Sequence, residues 1–175
     1  GVRQHLGVYM DISGGAESLL SDRSAVSGAV DSIRTAAVSG GYDGVTVDIE
    51  GLRSGQRDAY TAFLTELAAV LAEEQLAIYV AVQPVMAGSS YYDGYDFRAI
   101  GELADRVILM AHDYAPADMS GYEGTAWQQN AALTPIGQVY YALRAATDRE
   151  TGVADPSKLL LAISFDAVAW RIDEQ

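Results

Sequence analysis

The chain has 175 residues, half of them apolar, and a formal net charge of −13; it is long enough for one domain with a sizeable core and too apolar for disorder. That charge, unrelieved by any local cluster of Lys or Arg, repels nucleic-acid phosphates and anionic membrane surfaces, so neither is expected as a partner. No apolar run approaches the roughly 20 residues of a spanning helix, so no membrane insertion is expected, and the absence of cysteine excludes disulfides and thiolate metal sites without fixing a compartment.

Strand and helix patterns alternate throughout, with no repeat, low-complexity stretch or linker, which predicts a parallel α/β sheet in one domain over 1–175. The first strand is expected near 6–12, where Leu6, Val8, Met10 and Ile12 alternate with Gly7, Tyr9, Asp11 and Ser13. A helix near 22–38 follows. The second strand, 44–50, places Val45, Val47 and Ile49 on one face and Thr46, Asp48 and Glu50 on the other, because successive side chains of an extended strand point to opposite sides. Asp43-Gly44 opens it and Gly51-Leu52-Arg53-Ser54-Gly55 closes it.

The helix expected over 56–74 has the clearest period, with Tyr60, Phe63, Leu64, Leu67, Val70 and Leu71 on one side and Asp58, Glu66, Glu73 and Glu74 on the other. Strands near 77–83, 106–113 and 159–165 complete the alternation, with a short helical piece near 96–104 and a helix near 135–146. In the third strand Tyr79, Ala81 and Gln83 share the face of Asp48 and Glu50. In the fourth, Met110, His112 and Tyr114 share it until Asp113 ends the strand. In the fifth, Ala162, Ser164 and Asp166 share it.

All five strands thus turn polar toward one end, converging on Asp11, Asp48, Glu50, Gln83, His112 and Asp166. Catalytic groups of a parallel barrel sit at the C-terminal ends of its strands, so this pattern predicts a site there. Two carboxylates so close are expensive to bury unless paired or protonated, and each raises the other's pKa, which keeps a carboxyl group protonated for general-acid work. The plainer alternative is a strand whose acids emerge into solvent, with His112, Gln83 and Asp11 as hydrogen-bonded interior groups.

Asp43-Gly44-Val45-Thr46-Val47-Asp48-Ile49-Glu50 resembles the Asp-Gly-x-Asp-x-Asp-x-Glu signature of glycoside hydrolase family 18, the chitinase family, and Met110-Ala111-His112-Asp113 resembles its Met-x-Tyr-Asp motif. The stretches Tyr91 to Tyr114 and Lys158 to Trp170 are most similar to the branch acting on spore-cortex and cell-wall peptidoglycan, where an uncharged residue such as Thr46 is tolerated in the middle of the signature. The resemblance implies a (β/α)8 TIM barrel, present here as a partial barrel of about strands 3 to 7, and hence a fragment, since a whole barrel takes about 250 residues.

It further implies Glu50 as general acid and Asp48 as the carboxylate that holds the substrate's N-acetyl group, about 6.6 Å apart along the strand. The sugar's own acetamido oxygen serves as nucleophile, so no protein nucleophile, metal or other cofactor is needed. Asp113, His112, Met110, Tyr114, Gln83, Thr46, Asp11 and Trp170 are the expected substrate-binding set, with Trp127 and Tyr122 on a possible cleft lip. His112 stands where the family has Tyr, while Ala162, Ser164 and Asp166 stand where relatives tend to have Gly, Pro and Tyr. The implied partner is an N-acetylated glycan at the cell envelope or outside the cell; the oligomeric state is open. Two other readings remain at this point: a catalytically impaired carbohydrate-binding chitinase-like protein, against which Glu50 speaks, and a metal-dependent barrel enzyme using Asp48, Glu50, His112 and Asp113 as ligands.

Overall fold

A computed structural model of the chain describes residues 1–86, 93–115, 118–125, 132–166 and 169. Strands β1 (His5–Asp11), β2 (Gly44–Glu50), β3 (Ala77–Val82), β4 (Arg106–Met110) and β5 (Leu159–Ala162) form one sheet in that order, every pair parallel. Between them run α1 (Glu17–Ser21), α2 (Arg23–Gly40), α3 (Arg57–Glu73), α4 (Phe97–Leu103) and α5 (Ile136–Ala146). Because each strand pairs with the next in sequence and crossovers keep one hand, the chain winds in a single direction and lays its helices on a single face. A doubly wound sheet would reverse at its centre. The sequential order is that of a barrel, here a partial one, as the family resemblance implies.

The helix-covered face is the core. Val45, Val47 and Ile49 of β2, Ile78, Val80 and Val82 of β3, and Val107 and Leu109 of β4 pack with Val26 and Val30 of α2, with Tyr60, Phe63, Leu64, Leu67 and Leu71 of α3, and with Ile100 of α4. Fully burying a side chain of this size contributes about 1.5–3 kcal/mol, so this layer dominates the stability of the fold. Asp22 caps α2 by accepting hydrogen bonds from the Ser24 and Ala25 amides, and Asp96 caps α4 through the Ala99 amide. Among the described residues no helix is long and apolar enough to cross a membrane.

Among the described residues the opposite face carries no helix. It presents Thr46, Asp48 and Glu50, each half-buried, between Tyr9 and Asp11 of β1 and Tyr79 and Ala81 of β3.

Two strands are shorter than their sequence pattern suggests. β4 ends at Met110 rather than 113, because the Ala111 amide turns back to the Leu109 carbonyl oxygen (3.0 Å) and Asp113 adopts a left-handed backbone with φ 57°. β5 ends at Ala162 rather than 165, which leaves Ser164, Phe165 and Asp166 beyond the sheet. The structure also adds α1, a single short helix ahead of α2 that the sequence pattern did not reveal.

Candidate active site

The site begins with how β2 ends. Gly51 follows Glu50 with φ 75°, a left-handed conformation that side-chain-bearing residues rarely adopt, so the chain breaks away immediately after the acid and leaves it at the strand terminus. Two side chains from neighbouring segments hold that break. Gln83 Oε1 accepts the Gly51 amide proton at 2.6 Å, and the Tyr95 hydroxyl reaches both the Ile49 carbonyl oxygen (2.7 Å) and Gln83 Oε1 (3.2 Å). Tyr95 is itself buried edge-on against Tyr60 of α3. Gln83, expected to bind substrate, thus has its carboxamide oxygen committed to the backbone around Glu50.

Register sets the neighbours of the two acids. Asp11 stands beside Glu50 and Tyr9 beside Asp48 across the β1–β2 ladder, while Ala81 flanks Asp48 on the β3 side. Burial raises the Glu50 pKa most, the charges of Asp48 and Asp11 raise it further, and His112 opposes them. Asp48 is also raised by burial, with His112 pulling the other way. Asp11 moves in the opposite direction: the Ser13 hydroxyl donates to Asp11 Oδ1 at 2.7 Å and the Gly14 amide donates to the same oxygen, which stabilises the carboxylate. The surroundings therefore shift the pKa values of these neighbouring acids apart, Asp11 downward and Glu50 upward.

Asp48 Oδ1 is buried without a hydrogen-bond partner among the described residues. A buried acceptor in that condition gains from any ligand that brings it a donor.

Lower in the same face, Thr46 Oγ1 lies 3.2 Å from His5 Nδ1, and the His5 ring packs edge-on to Tyr79 at 4.3 Å. Thr46 is one interior position below Asp48 and is engaged in this layer. Met110 closes β4 on the interior side, half-buried, opposite Ala162. His112 lies just beyond, with Nδ1 2.7 Å from Asp113 Oδ2. Tyr114 does not continue the interior face: after the turn at Asp113 its side chain packs against the helix-side core, its hydroxyl is buried without a partner among the described residues, and burial pushes its pKa up to about 12. Asp166 is exposed beyond the end of β5. Tyr122 is exposed on a short turn, whereas Trp127 and Trp170 lie outside the described residues.

Sequence reasoning did not single out Tyr9. It is 63% exposed on the helix-free face, and its hydroxyl feels the charges of Glu50, Asp11 and Asp48, which raise its pKa. Its interior parity in β1 was the available signal. Among the described residues no group of three or more His, Cys, Asp or Glu is arranged to hold a metal ion, so the ligand set Asp48, Glu50, His112 and Asp113 lacks the convergence that a metal centre requires.

Comparison with known proteins places this geometry in context. The model of glycosyl hydrolases family 18 matches residues 2–175. The chain is 34% identical over 102 residues to the cortical fragment-lytic enzyme of Bacillus subtilis, a stretch that covers 57% of this chain and 22% of that protein. It superposes on the spore cortex-lytic enzyme SleL of Bacillus megaterium with a TM-score of 0.66 and 23% identity, covering 90% of this chain and 35% of SleL. A Group IV chitinase of Ostrinia furnacalis gives a TM-score of 0.64 at 19% identity, covering 90% of this chain and 46% of the chitinase. The chain therefore spans less than half the length of each of these three relatives.

Proposed function

Because the chain belongs to glycosyl hydrolase family 18, we propose that it is a glycoside hydrolase cleaving β-1,4 bonds next to N-acetylated hexosamines, in peptidoglycan or a chitin-like glycan, by substrate-assisted retaining catalysis. The reading takes residues 1–175 as a single catalytic unit built on about strands 3 to 7 of the barrel. What carries it is the placement of Asp48 and Glu50 side by side at the end of β2 on the face away from the core, half-buried next to Asp11, where burial and the neighbouring carboxylates raise the Glu50 pKa.

In this mechanism Glu50 gives its proton to the glycosidic oxygen as the bond to the anomeric carbon breaks. The acetamido carbonyl oxygen of the same sugar attacks that carbon and closes a cyclic intermediate. Asp48 accepts a hydrogen bond from the acetamido N–H through its unpartnered Oδ1, which turns the carbonyl toward the anomeric centre. Glu50, now a carboxylate, takes a proton from the water that opens the ring, and the configuration is retained. Tyr9 and Met110 line the face over which the sugar lies. A peptidoglycan substrate would put this activity at the cell envelope or outside the cell.

Hydrolysis of N-acetylglucosamine oligomers and of spore-cortex peptidoglycan by the wild-type protein and by Glu50→Gln tests the proposal. The substitution is expected to lower kcat by about 100-fold or more, and the first product formed is expected to keep the β configuration by proton NMR. Undiminished turnover in Glu50→Gln, or an inverted first product, would overturn it.

A further inference from the structure

Resting on the glycosidase reading, we propose that Asp113 acts through His112 rather than on the sugar: it accepts the Nδ1 proton of His112 and so leaves Nε2 of the neutral ring as a hydrogen-bond acceptor for a hydroxyl of the sugar. The family resemblance assigns the Asp of this motif to the substrate and gives the preceding position to a phenol. Three features of this chain depart from that assignment.

The first is the contact itself. His112 Nδ1 and Asp113 Oδ2 are 2.7 Å apart, a short, well-formed hydrogen bond between adjacent residues. Consecutive residues of an extended strand point to opposite sides, so such a bond needs a backbone that departs from the strand. The second is that departure: Asp113 is one of two non-glycine residues among those described with positive φ, at 57°, and it follows the turn at Ala111 that ends β4. Asp and Asn tolerate the left-handed region better than most residues, at a small cost, and here the cost secures a carboxylate against the imidazole.

The third is where the ring then lies. β4 ends with Met110 on the interior face, level with Glu50, and Ala111 fully buried on the helix side, and half-buried His112 follows beyond that strand end. The imidazole acts electrostatically on both Asp48 and Glu50. With one ring nitrogen held by a carboxylate, the tautomer and orientation of the other are fixed, the role carboxylates play beside functional histidines generally. Asp113 is thus a positioning residue, and a carboxylate-held imidazole stands where the family has a phenol, offering an acceptor in place of that donor.

A double-mutant cycle separates the two possibilities. Asn keeps the left-handed backbone of Asp113 and a similar shape, so Asp113→Asn alters the acceptor while sparing the fold. In the wild-type background this change is expected to lower kcat at least about tenfold with KM changed less than about threefold. In a His112→Tyr background, where no Nδ1 remains to be held, the same change is expected to cost less than about threefold. Equal losses in both backgrounds would mean that Asp113 touches the sugar directly and would overturn the inference. A second readout needs no activity. The chain has two histidines, so ring-nitrogen NMR with a His5→Gln reference assigns His112; its Nδ1–H form is expected to dominate the neutral ring and to give way in Asp113→Asn. An unchanged tautomer would refute the arrangement. Absence of hydrolysis in the wild-type protein would count against the glycosidase reading, and the NMR comparison would still decide the role of Asp113.

Discussion

Asp11 and Glu50 stand side by side across the β1–β2 ladder, yet their surroundings drive their protons in opposite directions. Ser13 and Gly14 donate hydrogen bonds to Asp11, while Glu50 has only burial and two carboxylates to contend with, against the opposing pull of His112. Asp11→Asn removes a charge that helps keep Glu50 protonated but retains an acceptor for the turn. The alkaline limb of the kcat/KM profile should then move to lower pH. A profile that stays in place under Asp11→Asn would show that this charge does not reach the proton donor.

Raised carboxyl pKa values also bear on stability. A group whose folded pKa lies above its unfolded value binds more protons in the folded state, so its ionisation costs stability as pH rises through that interval. Asp48 and Glu50 are both raised, burial first among the causes. Asp48→Asn and Glu50→Gln should therefore raise Tm at neutral pH. The gain should vanish below about pH 4, where the carboxyls are protonated in both states. A lowered Tm at pH 7 in both variants would contradict the assignment.

Gln83 tests the support beneath Glu50. Gln83→Leu strips the acceptor from the Gly51 amide and part of the Tyr95 hydroxyl's bonding, at a cost of about 1–3 kcal/mol for a polar group left unsatisfied. Amide exchange at Gly51 should accelerate, and kcat should fall further than the loss of stability explains. If Gln83 instead binds sugar alone, KM would rise while exchange at Gly51 stayed slow.

The core offers a contrast. Leu67 is fully buried in the α3 layer, away from the helix-free face. Leu67→Ala should destabilise the fold by about 2–5 kcal/mol. At temperatures where the variant remains folded, kcat/KM should be nearly unchanged. A large loss of activity in the folded variant would show that the two faces are coupled.

The sequence makes β2 and α3 legible because each follows one period without interruption: Val45, Val47 and Ile49 alternate with Thr46, Asp48 and Glu50, and Tyr60, Phe63, Leu64, Leu67 and Leu71 recur at helical spacing. The parity argument carries correctly along β1 and β3, placing Tyr9, Asp11 and Ala81 beside the acids. It fails past Met110, since nothing in Ala111-His112-Asp113 announces that the Ala111 amide folds back or that Asp113 takes a left-handed turn. Tyr114 therefore lands against the core rather than in the interior. Tyr95 lies in a loop, where no period applies, so its grip on Ile49 and Gln83 could be found only in three dimensions.

The strict alternation of β2 has an evolutionary corollary. Inserting or deleting a single residue between Gly44 and Glu50 would exchange the two faces of the strand, turning the valines inward and driving both acids against the leucines of α3. Length changes are thus barred from this seven-residue span, whereas loop segments beyond the held turns at Gly51 and Asp113 tolerate them better. Divergence in what such a protein grips should accumulate as loop insertions around an incompressible ruler.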